Sequence, residues 1–102
     1  MKYNKLIRDK IPEIIKQDGK NPITRIATDE EYWQKLKEKL KEEVDEFLES
    51  ENEEELADIY EVLEHIYEIK KLEKHKLKEI KEKKAEQRGS FKLKIILEEV
   101  KD

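Results

Sequence analysis

The chain has no cysteine, and this excludes a disulfide framework, thiolate chemistry and cysteine-ligated zinc. Glycine and proline are nearly absent too, with two of each in 102 residues, at Gly19, Gly89, Pro12 and Pro22. No strong helix breaker therefore stands between Ile23 and Arg88, and that stretch is expected to be largely helical. No apolar run approaches the roughly 18 residues of a membrane span, so no membrane partner is expected. The opening MKYNKLIRDK lacks the apolar core of a signal peptide, which points to a cytoplasmic protein. Hydrophobic residues are also scarce, at 35%.

Charge fills the place of what is missing. Lys, Arg, Asp and Glu make up 49% of the chain, about twice the globular average of roughly 25%. The 23 basic and 27 acidic side chains leave a net charge of −4, which argues against a nucleic-acid polymer as partner. A chain this short buries only about two-thirds of its unfolded surface. With so few apolar residues it needs either extensive ion pairing or an oligomer that shares its apolar surface, and the oligomer is the favoured expectation.

The length suits one domain, covering residues 1–102. Pro12 fits the first turn of a short helix that Gly19 stops. Thr28 and Glu31 have capping-box spacing at the start of a long helix from about Asp29 to Glu49–Asn52. Its apolar face is Trp33, Leu36, Leu40, Val44, Phe47 and Leu48. A second helix from about Glu53 carries Leu56, Ile59, Leu63, Ile66 and Tyr67, with no clear stop in the Lys70–Lys76 stretch. The short link makes the two an antiparallel hairpin. A more polar helix is expected over Leu77 to Gln87. Ile23–Thr28 and Phe91–Val100 are β-branched or partly alternating, and a small ribbon between them is the expectation. Trp33, Tyr60 and Tyr67 read as core or subunit interface. His65 and His75 read as surface residues without carboxylate partners, and Lys78–Lys84 as a solvated face.

The hairpin carries Glu43-x-x-Glu46 on one helix and Glu55-x-x-Asp58 on the other. In a chain with 27 acids such spacings are common, and each pair alone reads as a solvated helix face. Their placement is less ordinary. The pairs 46/55 and 43/58 have equal position sums centred on Ser50–Glu51, so an antiparallel hairpin sets their members level with each other. On the helical wheel Glu55 falls inside the apolar arc and Glu43 at the border of its own. Carboxylates on an apolar face need a partner or a proton. Four of them at matched heights call for a cation, and oxygen ligands select a hard one, Mg²⁺ or Mn²⁺. A competing explanation covers Glu55 alone: Asn52 and Glu55 have capping-box spacing, with the glutamate bonding back to the Asn52 backbone.

Glu42-Glu43-Val44-Asp45-Glu46 followed by Glu55-Leu56-Ala57-Asp58 resembles the all-α MazG-type nucleoside triphosphate pyrophosphohydrolases. Tyr3-Asn4-Lys5-Leu6-Ile7-Arg8-Asp9-Lys10-Ile11-Pro12 and Arg88-Gly89-Ser90-Phe91 are similar to a small branch that is like phosphoribosyl-ATP pyrophosphohydrolase. The resemblance implies an all-helical fold, a homodimer or homotetramer, and Mg²⁺-dependent cleavage of a nucleoside triphosphate to monophosphate and pyrophosphate. It also implies that Glu43, Glu46, Glu55 and Asp58 are the metal ligands and catalytic centre. Lys5, Arg8, Lys10 and Arg88 are then the candidates for offsetting triphosphate charge. The eight-residue gap between Glu46 and Glu55 is short for the superfamily, and Ser90 stands where the branch tends to have glycine. Both departures bear on substrate identity. The alternatives are phosphoribosyl-ATP hydrolysis and a non-catalytic helical interaction module.

Overall fold

The computed structural model describes residues 2–102, and all regular structure among them is helical. The helices are α1 (Ile11–Gln17), α2 (Asp29–Ser50), α3 (Glu53–Ile69) and α4 (Lys74–Arg88). The chain divides into two compact units, one running through Lys70 and the other from Lys71 to Asp102.

In the first unit, α1 carries proline in its opening turn, and Gly19 follows it with φ at +80°. Thr28 caps α2, its hydroxyl accepting from the Glu31 N–H at 3.2 Å. The Glu31 carboxylate does not return the bond; it holds the Arg25 guanidinium through both oxygens. α2 ends at a left-handed Glu51, and Asn52 opens α3 by accepting from the Glu55 N–H at 3.1 Å. α2 and α3 pack as the expected antiparallel hairpin. Leu36 from α2 and Val62 from α3 are its buried apolar residues, and Glu43 of α2 is buried as well. α3 stops at Ile69, where Lys71 turns into the left-handed region.

The second unit consists of α4 and the segment after it. α4 starts three residues earlier than the polar pattern suggested and has only a weak apolar face. The Lys78–Lys84 run is exposed throughout.

The ribbon expectation is overturned. Neither Ile23–Thr28 nor Phe91–Val100 forms a strand, and Phe91 is 98% exposed. A two-stranded ribbon is marginal without a third strand or a helix behind it. The alternation in Phe91–Val100 also fails at Ile95–Ile96–Leu97, and Lys94 breaks the extended backbone with φ at +59°.

Candidate metal centre

Helix geometry sets three carboxylates against one another. Glu43 comes from the middle of α2, and Glu55 and Asp58 from the first turns of α3, one turn apart. One oxygen from each lies within 4.8 Å of the other two. Neighbouring ligand oxygens around Mg²⁺ stand about 3 Å apart, so the trio would draw closer to share one such ion. Glu43 is only 5% exposed, while Glu55 and Asp58 are half-buried.

Two oxygens of these carboxylates, Glu43 Oε2 and Glu55 Oε2, are buried without a hydrogen-bond partner. An unsatisfied buried carboxylate oxygen is costly, and ordinary packing avoids it. Burial pushes the Glu43 carboxyl above its usual range, and the charges of Glu46 and Asp58 add to the rise. Lys39, 3.2 Å from Glu43 Oε1, pulls in the other direction. The donor set and its two orphaned oxygens thus suit a hard divalent cation.

The capping explanation for Glu55 accounts for its backbone only. Asn52 takes the Glu55 N–H, but the Asn52 N–H goes to Ser50 Oγ at 3.3 Å. The Glu55 side chain is therefore free of the cap and belongs to the cluster.

Glu46 stands apart from the trio. It is exposed, lining a shallow surface hollow with Glu42, Asp45 and Glu49. The position sums place it level with Glu55 but do not fix how far its side chain turns outward. Only its charge bears on Glu43.

The basic residues divide. Arg8 Nη2 donates to Asp58 Oδ1 at 2.7 Å, so the opening segment brings a guanidinium directly onto the cluster. Lys5 pairs with Glu42 at 3.2 Å, and Lys35 Nζ donates to the Asn4 carbonyl at 2.7 Å. Together these fasten residues 4–8 along the hairpin. A cleft of about 200 Å³ opens there, with Lys5, Lys35 and Lys39 in its wall. Lys10 is exposed at the N-cap of α1, and Arg88 ends α4 in the second unit. Lys39 had no place in the sequence expectation, although it precedes Glu43 by one helical turn, a spacing that predicts pairing.

Both histidines have partners, contrary to expectation. His65 Nε2 lies 2.7 Å from Glu61 and its Nδ1 3.3 Å from Glu68. His75 Nε2 lies 2.9 Å from Glu73. Each carboxylate is within four positions of its histidine, close enough in sequence to have been read as helix-neighbour pairs or N-cap contacts. Trp33 is half-buried, with the Lys37 and Lys70 ammonium groups 5.3 and 4.6 Å from its ring.

No protein-family model matches the chain, and no solved structure matches it. It is 51% identical over 39 residues to an uncharacterized protein of Mycolicibacterium smegmatis (strain ATCC 700084 / mc(2)155). That stretch covers 38% of this chain and 40% of the relative. No helix among the described residues is long and apolar enough to cross a membrane.

Proposed function

We propose that the chain is a Mg²⁺-dependent pyrophosphohydrolase of the MazG type, cleaving a nucleoside triphosphate to its monophosphate and pyrophosphate. The observation that carries this reading is the pair of buried, unpartnered oxygens on Glu43 and Glu55, beside Asp58, at the heart of the hairpin. The acidic motifs and the opening block that resemble that family meet at this point, through the Arg8–Asp58 bond.

Glu43, Glu55 and Asp58 would hold the ion, with Glu46 as the outer carboxylate of the set. A divalent ion bound there supplies polarisation of phosphate oxygens and a water of lowered pKa. Arg8 offers a planar fork of donors suited to phosphate oxygens, and Lys5 and Lys39 add positive charge along the neighbouring cleft. The short link between α2 and α3 leaves little chain to enclose a base, which favours a site that reads the triphosphate more than the nucleoside.

Phosphorus NMR tests the reading, using a panel of standard and damaged nucleoside triphosphates together with phosphoribosyl-ATP, with and without Mg²⁺. The expected products are pyrophosphate and a monophosphate, formed only with Mg²⁺ and lost in Glu55→Gln. Turnover confined to phosphoribosyl-ATP would move the assignment to that substrate. Turnover that persists in Glu55→Gln, or none across the panel, would remove this site from the chemistry.

A further inference from the structure

α2 carries a row of three charges that leads away from the acid cluster. Lys35, Lys39 and Glu43 follow at four-residue steps, each about one helical turn and about 6 Å along the axis. The two lysines line the cleft between α2 and the opening segment, and Lys5 lines it from that segment. Their side chains are 24% and 17% exposed, against 79% for Lys41 on the same helix. Lysine ordinarily keeps its ammonium group in water, so two drawn into one cleft need a reason.

Neighbouring carboxylates supply only part of it. The Lys39 ammonium lies 3.2 Å from Glu43 and 3.4 Å from Glu42. An ion on the acid cluster would take the Glu43 charge and leave Lys39 with Glu42, which Lys5 already shares at 3.2 Å. Lys35 is matched less well. Its closer partner is the neutral Asn4 carbonyl at 2.7 Å, while Glu38 stands at 3.5 Å and is 65% exposed. Glu31 also feels the Lys35 charge, but both of its oxygens are committed to Arg25. Three ammonium groups, two of them half-buried, thus line a cleft whose own carboxylates are Glu38 and Glu42. The surplus is positive, and a partly desolvated cation favours an anion beside it. At about 200 Å³ the cleft is smaller than the roughly 300–1,000 Å³ of sites that enclose a drug-sized ligand, so it suits a small anion and not a whole nucleotide. Phosphate oxygens are the natural match, since lysine meets them as a point charge.

We propose that this cleft binds a pyrophosphate group through Lys35 and Lys39, with Lys5 at its side. The row then gives the substrate a direction: its two distal phosphates run from the acid cluster along α2 toward the N-terminus of that helix. The choice of pyrophosphate rests on the pyrophosphohydrolase reading, whereas the anion site rests on the lysines and the cleft.

Calorimetry of the full chain with inorganic pyrophosphate tests it, with and without Mg²⁺, alongside Mn²⁺ titration and circular dichroism. Pyrophosphate is expected to bind, and Lys35→Met should weaken it about tenfold, the scale of one charged hydrogen bond. Helicity and Mn²⁺ affinity should stay close to those of the wild type. Lys41→Met removes an equal charge from an exposed position of α2 and should leave pyrophosphate affinity nearly unchanged. Reductive methylation of the unaltered protein is a second route that no folding defect can blur. Saturating pyrophosphate should protect Lys35 and Lys39 and leave Lys41 reactive. The α,β-methylene analogue of ATP should protect the same two lysines, and AMP should not. Absence of pyrophosphate binding, equal weakening in Lys35→Met and Lys41→Met, or no selective protection overturns the proposal. Protection by AMP, or none by the analogue, overturns the direction given to the phosphate chain. Lys35-dependent pyrophosphate binding in a protein that takes up no Mn²⁺ would sink the metal reading and leave the cleft standing. Mn²⁺ binding beside pyrophosphate affinity indifferent to Lys35 would overturn the cleft and leave the metal reading standing.

Discussion

Arg8 and Asp58, fifty positions apart in sequence, meet at 2.7 Å, and so one of the three clustered carboxylates already has a cation on it. A divalent ion arriving at Asp58 must compete with that guanidinium, and a phosphate arriving with the ion offers Arg8 a better partner. Arg8→Gln should therefore tighten Mn²⁺ binding in the absence of phosphates. Both side chains are partly exposed, and pairs of that kind are worth up to about 1 kcal/mol, or about fivefold in affinity. The same variant should bind pyrophosphate more weakly once Mg²⁺ is present. Calorimetry reads both, with Lys10→Gln as the control for loss of a nearby charge. Equal tightening in Lys10→Gln would show a general field effect and remove the competition.

Glu43 is a buried carboxylate, only 5% exposed, with one oxygen unpartnered. Burial has pushed its carboxyl upward, so the ionised form is the one that the folded state disfavours. Glu43→Gln should stabilise the cation-free protein by about 1 kcal/mol, the lower end of the cost of an unsatisfied buried group. Lys39 would keep Glu42 as a partner at 3.4 Å. Saturating Mg²⁺ should raise the wild-type melting temperature, by the equivalent of about 2.7 kcal/mol at a hundredfold excess over the dissociation constant. The variant should show no such rise. Destabilisation by Glu43→Gln would mean that the carboxylate is held by the fold and is not strained by it.

How far the sequence could be read depended on whether a feature was local. Helix spacing, the Thr28 and Asn52 caps and the short link between α2 and α3 are set by neighbours in sequence, and they placed the hairpin and the level of its acids correctly. Glu43 and the Glu55/Asp58 pair met because position sums in an antiparallel hairpin are a strong constraint. Glu46 escaped the same arithmetic, since level says nothing of whether a side chain turns toward the partner helix or away from it. The failed ribbon shows the opposite limit. Alternation in Phe91–Val100 described a segment able to pair, but pairing needs a partner strand that no local pattern supplies. The Arg8–Asp58 bond lay beyond the pattern for a similar reason: spacing named Asp58 and the resemblance named Arg8, and neither could join them.

His65 should make stability depend on pH. Its two ring nitrogens face Glu61 and Glu68, and the bond to Glu61 is the main cause of a pKa raised above the ordinary 6.5, against a smaller opposing effect of burial. A basic group whose folded value lies above its unfolded one adds stability that is full below about pH 6.5 and disappears as pH rises through the folded value. Urea unfolding of the wild type should therefore lose a small increment as pH climbs from about 6.5 through that value. His65→Gln should show a flatter curve over the same span. The imidazole is more than a third exposed, so solvent keeps the increment modest. Parallel curves for the two proteins would sink the assignment.

Two functions meet at residue 55 and should be separable. Its backbone N–H is held by the Asn52 side chain, which starts α3, while its carboxylate turns into the cluster because Ser50 takes the Asn52 N–H. Asn52→Ala removes the cap and leaves every clustered oxygen in place. The expected cost is about 1 kcal/mol, typical of an N-cap replaced by alanine. The Mg²⁺-induced rise in melting temperature should persist, starting from a lower baseline. Glu55→Gln should do the reverse, leaving the cap bond intact and abolishing the rise. If Asn52→Ala removed the cation response as completely as Glu55→Gln, the side chain of Glu55 would be serving the helix terminus, and the cluster would be left with two carboxylates, too few to hold the ion.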